Sequence, residues 1–302
     1  MGTKIVPSRH LYFGGSYAKT RLFKIFLYAW LVIGCIFVLT PVLWMVGASF
    51  TKGKLLSNVP LIPSLKTFSL EHYEWIFTYK SQTNSFASDF VMAFLRTFLV
   101  AGVTTIGIVF LTSLTGYVFA RYRFTGKKFM LLGMMLLQMF PSFMGMIALY
   151  IIFRSFGWLN NPVYLAFIYI AGAIPTNTYL IRGYLRGIPK SIDEAATIDG
   201  ASQMQIFFKL ILPLSKPIVG FVAVTAFMSP WMDFMLPKNM LDMQNQTVAV
   251  FLWRITDMLQ PFYYNPLHFM AGALILAVPI MIVQISMQKF IVYGMASGAE
   301  KG

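Results

Sequence analysis

Six long stretches of the chain contain no Asp, Glu, Lys or Arg, and this pattern restricts the fold more than any other feature of the sequence. A helix needs about 20 residues to cross roughly 30 Å of hydrocarbon, and five of the stretches are long enough. The shorter fifth stretch continues past Asp233 into Phe234, Met235 and Leu236. The sequence therefore predicts six transmembrane helices, at 25–50, 97–120, 129–153, 155–181, 218–232 and 258–288.

The composition also favours a helical membrane protein. Of the 302 residues, 58% are hydrophobic and only 11% are charged, whereas a soluble domain usually carries about a quarter charged residues. The alternation of apolar and polar residues that marks barrel strands is missing from the apolar stretches. We therefore expect an all-α membrane protein of about six transmembrane helices. It would have a tail at 1–24, one transmembrane domain at 25–288, a tail at 289–302, and external loops at about 51–89 and 233–267.

The distribution of basic residues predicts the orientation of the chain. Six spans place both termini on one side, and that side carries most of the 24 Lys and Arg residues, as cytosolic surfaces do. The N- and C-termini are therefore expected in the cytosol. A basic rim facing anionic lipid accounts for the net charge of +14, so no nucleic-acid partner is needed. The first apolar run is longer than the core of a signal peptide and is expected to be an anchor.

The sequence contains few of the patterns that carry chemistry. His10, His72 and His268 are far apart along the chain and lack metal-ligand spacing. Gly126-Lys127 is followed by Lys rather than Ser or Thr, so it is no phosphate-binding loop. The spans hold no paired carboxylates, and Asp233 lies only at the edge of the fifth span, whereas a proton-coupled transporter normally places an acidic group deep in a span. We expect no catalytic residue, no metal site and no cofactor bound by this chain.

Prolines lie within several of the predicted spans, and four of these residues are expected to kink their helices. Ordinary packing kinks and flexing around a central pathway are both open as interpretations. The four residues are Pro41, Pro141, Pro175 and Pro279.

The predicted cytosolic loop at about 182–217 has the clearest local pattern in the chain. Ser191 and Glu194 have the spacing of a capping box, which predicts a helix that begins at Ser191. Gly200 is placed to end this helix in a left-handed cap. Ser202 and Gln205 form a second candidate capping box. The sequence therefore predicts two short, capped helices that are joined at a glycine.

The second of these helices is predicted from apolar residues at helical spacing, which end at Pro213 and Pro217. The small side chains of Ala195 and Ala196 leave a face on which another surface can sit closely. A stiff cytosolic loop of this kind suits the transfer of force from a partner. The alternative is a helix that lies in the lipid headgroup region. The apolar residues are Ile206, Phe207, Leu210 and Ile211.

Three motifs in this loop carry a resemblance to a known family. Glu194-Ala195-Ala196, Gly200 after three further residues, and Leu210-Ile211-Leu212-Pro213 after nine more resemble the EAA loop of permease subunits of binding-protein-dependent ABC importers. Three other segments are similar to permeases of the maltose and oligosaccharide group. The similarity covers about 20–302, and the chain resembles the shorter, six-span member of a pair of permeases. The segments are 174–184, 246–250 and 298–302.

The resemblance implies a set of partners and a location. A second, different permease, two ABC ATPase subunits and an extracytoplasmic solute-binding protein would assemble with this chain in a prokaryotic plasma membrane. The complex would import an oligosaccharide, maltodextrin-like or of another kind. ATP and Mg would bind to the ATPase subunits.

The resemblance also implies roles for particular residues. ATPase coupling falls on Glu194, Ala195, Ala196, Asp199, Gly200, Leu210, Leu212 and Pro213. Contacts between the C-terminal tail and the ATPase fall on Gly298, Glu300 and Lys301. Contacts with the binding protein fall on Gln260, Pro261, Tyr263, Tyr264 and Asn265. The candidates for the substrate pathway are Tyr169, Asn177, Tyr179 and Trp231.

Two other classes of function remain as alternatives. A stand-alone secondary transporter or channel would need ionisable groups within its spans and would transport without partners. A membrane-embedded enzyme would need a cluster of His, Asp or Cys within the spans, and the sequence shows none.

Overall fold

The computed structural model describes residues 17–54, 56, 59–60, 66–81, 86–259 and 264–299. Within these ranges the chain is mainly helical, with one isolated antiparallel bridge between Thr51 and Phe68. The helices are α1 (Tyr17–Ser49), α2 (Glu71–Thr78), α3 (Asp89–Arg121), α4 (Lys127–Gln138), α5 (Met146–Ser155), α6 (Pro162–Leu185), α7 (Ser191–Ile198), α8 (Gln203–Leu214), α9 (Lys216–Met232), α10 (Met235–Met240), α11 (Val248–Ile255) and α12 (Pro266–Ala299).

Four of the described helices are long and apolar enough to cross a membrane. They are α1, α3, α6 and α12. Helices α8 and α9 meet the same criteria only when they are counted together, and this pair is bent by 79° at the single residue between them, Ser215, so the described residues hold four spans, or five if the bent pair is one span. The prediction of an all-α protein with several membrane spans is therefore confirmed.

The predicted third span, 129–153, is broken rather than continuous. Helix α4 ends at Gln138, α5 begins at Met146, and a short 3₁₀ turn at Ser142–Gly145 lies between them. Pro141 stands at this break. Proline has no N–H to donate and disfavours helical backbone at the residue before it, so the break has a local cause. Pro41, Pro175 and Pro279 lie inside uninterrupted helices.

Helices α3 and α6 form the centre of the molecule because two glycines let them approach closely. A Cβ on Gly107 would lie 2.3 Å from Cδ1 of Ile170, and a Cβ on Gly116 would lie 2.7 Å from Cγ2 of Ile181. Small residues at such crossings are typical of membrane helix pairs. The hydroxyls of Thr115 and Thr178 are 2.8 Å apart and join the same two helices.

Helix α1 packs against α12 and exposes most of its apolar surface. The exposed side chains run from Phe23 to Leu43. Without a hydrophobic environment this surface would be costly in water, so we assign it to lipid or to another membrane subunit.

Candidate functional site

Helix α7 begins at Ser191 as predicted, but the first predicted capping box is wrong. The residue at the cap position is Lys190, whose backbone is helical (φ −69°, ψ −22°) and whose side chain makes no capping bond. A capping side chain works from extended backbone. Here the chain enters α7 from a turn at Pro189 instead, and the N–H of Glu194 donates to the carbonyl of Lys190 at 3.0 Å.

The C-terminus of α7 is closed by Gly200, as predicted. Its φ is +82°, in the left-handed region that favours glycine. The N–H of Gly200 donates to the carbonyl of Thr197 at 3.1 Å, and the N–H of Ala201 donates to the carbonyl of Ala196 at 2.9 Å. These two bonds form a Schellman motif, which satisfies the last carbonyls of the helix.

The second predicted capping box is confirmed at the start of α8. The N–H of Gln205 donates to Oγ of Ser202 at 3.3 Å, and the N–H of Ser202 donates to Oε1 of Gln205 at 2.8 Å. Each such cap contributes about 1 kcal/mol. The direction of α8 relative to α7 is therefore fixed by local bonds.

Helix α8 fastens the loop to the transmembrane helices. Its segment Ile206–Ile211 has the wider hydrogen bonding of a π-helix. Ile206, Phe207 and Ile211 are buried in one apolar cluster, which also contains Tyr117 of α3, Ile181 and Leu185 of α6, and Ala196 of α7. Leu210 and Leu212 are half-buried beside the same cluster, and Pro213 is exposed in the last turn.

A buried ion pair ties α7 to the end of α3. Nε of Arg121 lies 2.9 Å from Oδ2 of Asp193, and the two side chains are only 8% and 17% exposed. A terminal N–H of Arg121 also donates to the carbonyl of Ile188 at 3.0 Å. Burial raises the pKa of Asp193, and the charge of Arg121 opposes this rise. The hydroxyl of Tyr122 donates to Oε1 of Gln203 at 2.7 Å and forms a second polar link.

The exposed face of the loop contains four of the predicted coupling residues, Glu194, Ala195, Asp199 and Gly200. Ala196, the remaining alanine of the motif, is buried and holds α7 against the cluster below it. The sequence reasoning missed two apolar side chains on the exposed face. Ile198 is 86% exposed and Met204 is 61% exposed.

The structure describes only some of the residues predicted to contact other subunits, namely those of the C-terminal tail, expected at the ATPase, and those expected at the binding protein. Glu300, Lys301, Gln260, Pro261 and Tyr263 lie outside the described residues. Gly298 belongs to the last turn of α12, and Tyr264 is half-buried. The side chain of Asn265 is buried, and its Oδ1 accepts from the N–H of Leu267 at 3.0 Å at the start of α12.

Of the four candidates for the substrate pathway, Tyr169 lines a cavity of about 540 Å³ between α5, α6, α9 and α10. Its hydroxyl donates to Oδ2 of Asp233 at 2.9 Å. Asn177 donates to the carbonyl of Ala173 in its own helix at 2.9 Å.

The other two candidates lie away from this cavity. The hydroxyl of Tyr179 donates to the carbonyl of Leu131 and joins α6 to α4. Trp231 is 4% exposed, and its ring packs against Phe94 and Phe227 at 5.0 and 5.9 Å between ring centroids.

Two histidines that are far apart in the sequence meet in the structure. The Nδ1 atoms of His72 and His268 are 2.9 Å apart, and Nε2 of His72 lies 2.8 Å from the carbonyl of Thr51. A carbonyl only accepts, so Nε2 of His72 carries the proton and His268 donates to Nδ1 of His72. Trp75 stacks on His268 at 4.3 Å. These contacts join the segment between α1 and α3 to α12, and the described residues contain no group of three or more potential metal ligands.

Comparisons with known proteins agree with this architecture. Residues 108–293 match the family model described as binding-protein-dependent transport system inner membrane component. The galactooligosaccharides transport system permease protein of Bacillus subtilis is 36% identical over 94% of this chain and 98% of its own length. The maltodextrin transport system permease protein of the same organism is 34% identical over 92% of this chain and 96% of its own length.

A solved structure shows the same fold at lower sequence identity. It is a bacterial ABC transporter involved in the import of the acidic polysaccharide alginate, one chain of which superposes with a TM-score of 0.74. The match covers 91% of this chain and 98% of that chain at 22% identity. Because the family model spans more than half of the sequence and two relatives match over nearly their whole length, the chain belongs to the family of inner membrane components of binding-protein-dependent transport systems.

Proposed function

We propose that the chain is one of two different permease subunits of an ATP-driven importer of oligosaccharides. A second permease would complete the pathway, two ABC ATPase subunits would dock on the cytosolic loop, and an external binding protein would deliver the sugar. Both termini would lie in the cytosol of a prokaryotic cell. The printed functions of the Bacillus subtilis relatives support an oligosaccharide as the cargo.

The observation that carries this proposal is the construction of the α7–α8 loop. It exposes an apolar and acidic face while its opposite face is fixed in the cluster under α3 and α6. Glu194, Ile198 and Met204 lie on the exposed side. Exposed large apolar side chains rimmed by polar ones mark surfaces that bind other proteins. A cleft in an ATPase subunit would cover this face.

The same construction explains how movement of an ATPase would reach the pathway. A displacement of α7 would act on α3 through the Arg121–Asp193 ion pair and on α6 through the apolar cluster. Helices α3 and α6 are locked together at Gly107 and Gly116. The two helices would therefore move as one body when the loop moves, and the pathway beside them would change shape.

The chemical work of the transport cycle would be divided among the subunits. We assign ATP, Mg and hydrolysis to the ATPase subunits, and to this chain the conversion of their movement into a change of the pathway. Family membership disfavours the alternative of a transporter or channel that works alone.

Purification in a gentle detergent tests the proposal directly. We expect the chain to be recovered with a second permease and an ATPase, and the reconstituted complex to take up an oligosaccharide with ATP hydrolysis that the binding protein stimulates. Ile198→Asp should prevent recovery of the ATPase. The control is Ile106→Asp, because Ile106 lies on the exposed apolar side of α3, and this variant should affect membrane insertion instead. Sugar uptake by this chain alone, without an ATPase, would refute the proposal.

A further inference from the structure

The cavity beside Tyr169 holds one acidic group that the assignments above leave without a role. The cavity of about 540 Å³ is lined mainly by apolar side chains, including Leu149, Ile168 and Leu236. The lining residues with polar side chains are Tyr169, Ser229 and Asp233. An apolar cavity with a few convergent polar groups is the usual form of a small-molecule site.

The carboxylate of Asp233 is positioned from two sides. Its Oδ2 accepts from the hydroxyl of Tyr169 at 2.9 Å, and its Oδ1 accepts from the N–H of Leu236 at 3.3 Å at the start of α10. An ionised carboxylate can accept about four hydrogen bonds. Two bonds use half of this capacity, and the rest is available to donors that enter the cavity.

Among the described residues, the lining of the cavity carries no positive charge to balance Asp233. None of the described residues that line it is Lys, Arg or His. The basic residue of the neighbouring helix, Lys238, is directed elsewhere: its Nζ lies 3.6 Å from the centre of the Trp253 ring and 5.1 Å from that of Phe234. A negatively charged guest would therefore meet an uncompensated carboxylate in a largely apolar surrounding.

We infer that Tyr169, Asp233 and Ser229 form a subsite for the hydroxyl groups of a neutral saccharide and discriminate against acidic saccharides. Adjacent hydroxyls of a sugar ring donate to the free lone pairs of Asp233, and the apolar lining contacts the carbon face of the ring. A uronic acid would bring its own carboxylate into the same cavity. The carboxylates of the sugar and of Asp233 would repel each other more strongly there than in water, because the surroundings are less polar. This inference rests on the proposed function and names the class of sugar that the importer carries.

A purely structural role for Asp233 makes a different prediction, because Oδ1 also holds the start of α10. Asp233→Asn separates the two roles. Asparagine keeps an oxygen for the N–H of Leu236 but has no charge. Tyr169→Phe removes the hydroxyl and leaves the ring. Tyr164→Phe, on the same helix, is the matched control, since the Tyr164 ring packs against Trp158 and does not line the cavity.

The test measures sugar binding to the purified permease–ATPase complex without the binding protein, by saturation-transfer NMR. The probes are a neutral glucose trisaccharide and the same trisaccharide with one terminal uronic acid. We expect the wild-type complex to prefer the neutral probe by about tenfold or more. Asp233→Asn should reduce this preference to within about threefold, Tyr169→Phe should weaken binding of the neutral probe severalfold, and Tyr164→Phe should change neither.

The outcomes separate this inference from the proposed function. If the wild-type complex binds neither probe, or if Asp233→Asn keeps the full preference, the subsite is refuted even when binding-protein-stimulated sugar uptake is normal. If the wild-type complex takes up no sugar, the proposed function itself fails. Should Asp233→Asn not assemble, unchanged binding of the neutral probe by Tyr169→Phe refutes the subsite.

Discussion

Removal of Arg121 tests whether the loop transmits force through its ion pair. Arg121→Ala removes the partner that lies 2.9 Å from the Asp193 carboxylate, whose side chain is 17% exposed in the intact pair, and it frees the carbonyl of Ile188. Breaking a fully buried pair from one side costs about 3–5 kcal/mol, whereas exposed pairs contribute about 0–1 kcal/mol. For a pair of this partial exposure we expect a cost of about 2 kcal/mol, which shifts the equilibrium between docked and detached α7 about 30-fold.

The loss should appear as uncoupling rather than as unfolding, because α8 remains anchored in the apolar cluster. We expect Arg121→Ala to be inserted normally and to bind the ATPase, but to transport less sugar for each ATP hydrolysed. Amide hydrogen exchange in 188–200 should become faster by about the same 30-fold factor. Asp193→Asn is the matched variant on the other side of the pair.

The ion pair also gives the defect a pH dependence with a defined sign. Burial raises the pKa of Asp193, so the docked loop favours the protonated carboxyl once Arg121 is absent. Docking of the Arg121→Ala loop should therefore improve as the pH falls through the pKa of Asp193 and should weaken as the pH rises. In a double-mutant cycle, Arg121→Ala and Asp193→Asn should show a coupling energy of about 1 kcal/mol or more. Normal amide protection and a normal ratio of transport to ATP hydrolysis in Arg121→Ala would refute the reasoning.

Three further predictions concern the loop and the central helix pair. Gly200→Val forces a side chain into φ +82° at a cost of about 1–2 kcal/mol, and it should reduce ATPase recovery and sugar uptake at normal expression. Gly157→Val, with φ +68° and equally open surroundings, should spare ATPase recovery, and equal loss in both variants would contradict a shaped loop. Glu194→Lys opposes the helix dipole by several tenths of a kcal/mol and should lower stimulated ATP hydrolysis more than Glu194→Gln; equal activity would count against it. Gly116→Val places a side chain 2.7 Å from Ile181 and should lower the thermal stability of the complex by overpacking of about 1–3 kcal/mol, unlike Gly133→Val, whose position is open.

The membrane fold could be predicted from the sequence because the hydrocarbon of the bilayer requires every span to be a stretch of about 20 mainly apolar residues. Helices α1, α3, α6 and α12 coincide with apolar stretches that were recognisable from length alone. The break between α4 and α5 could not be fixed in this way. The stretch 129–153 has no charged residue on either side of Pro141, and whether a proline kinks or interrupts a membrane helix depends on which neighbours satisfy the freed backbone.

The candidate site shows a similar division between local and long-range information. The left-handed Gly200 and the Ser202–Gln205 box depend on neighbouring residues and were predicted correctly. The failed box at Ser191 depends on the backbone before the helix, which a turn at Pro189 controls. The partners Arg121 and Asp193 are 72 positions apart in the numbering, and Asp233 meets Tyr169 from a different helix. Such contacts have no signature in the sequence of either partner.

The contacts that hold the α7–α8 loop favour the transfer of a movement of α7 to the membrane helices α3 and α6. A flexible connection between α7 and the membrane would let an ATPase move the loop while the helices stayed in place. Instead, α7 is held at two points. In its first turn, Asp193 pairs with Arg121 of α3, and one turn later Ala196 packs into the apolar cluster that includes residues of α6. Two attachments to two helices restrain rotation as well as displacement. Since α3 and α6 cannot slide apart without losing the close packing at Gly116, we expect a push on Ile198 to tilt both helices together. Helix α6 carries Tyr169 at the cavity with Asp233, so the same tilt would change the saccharide subsite.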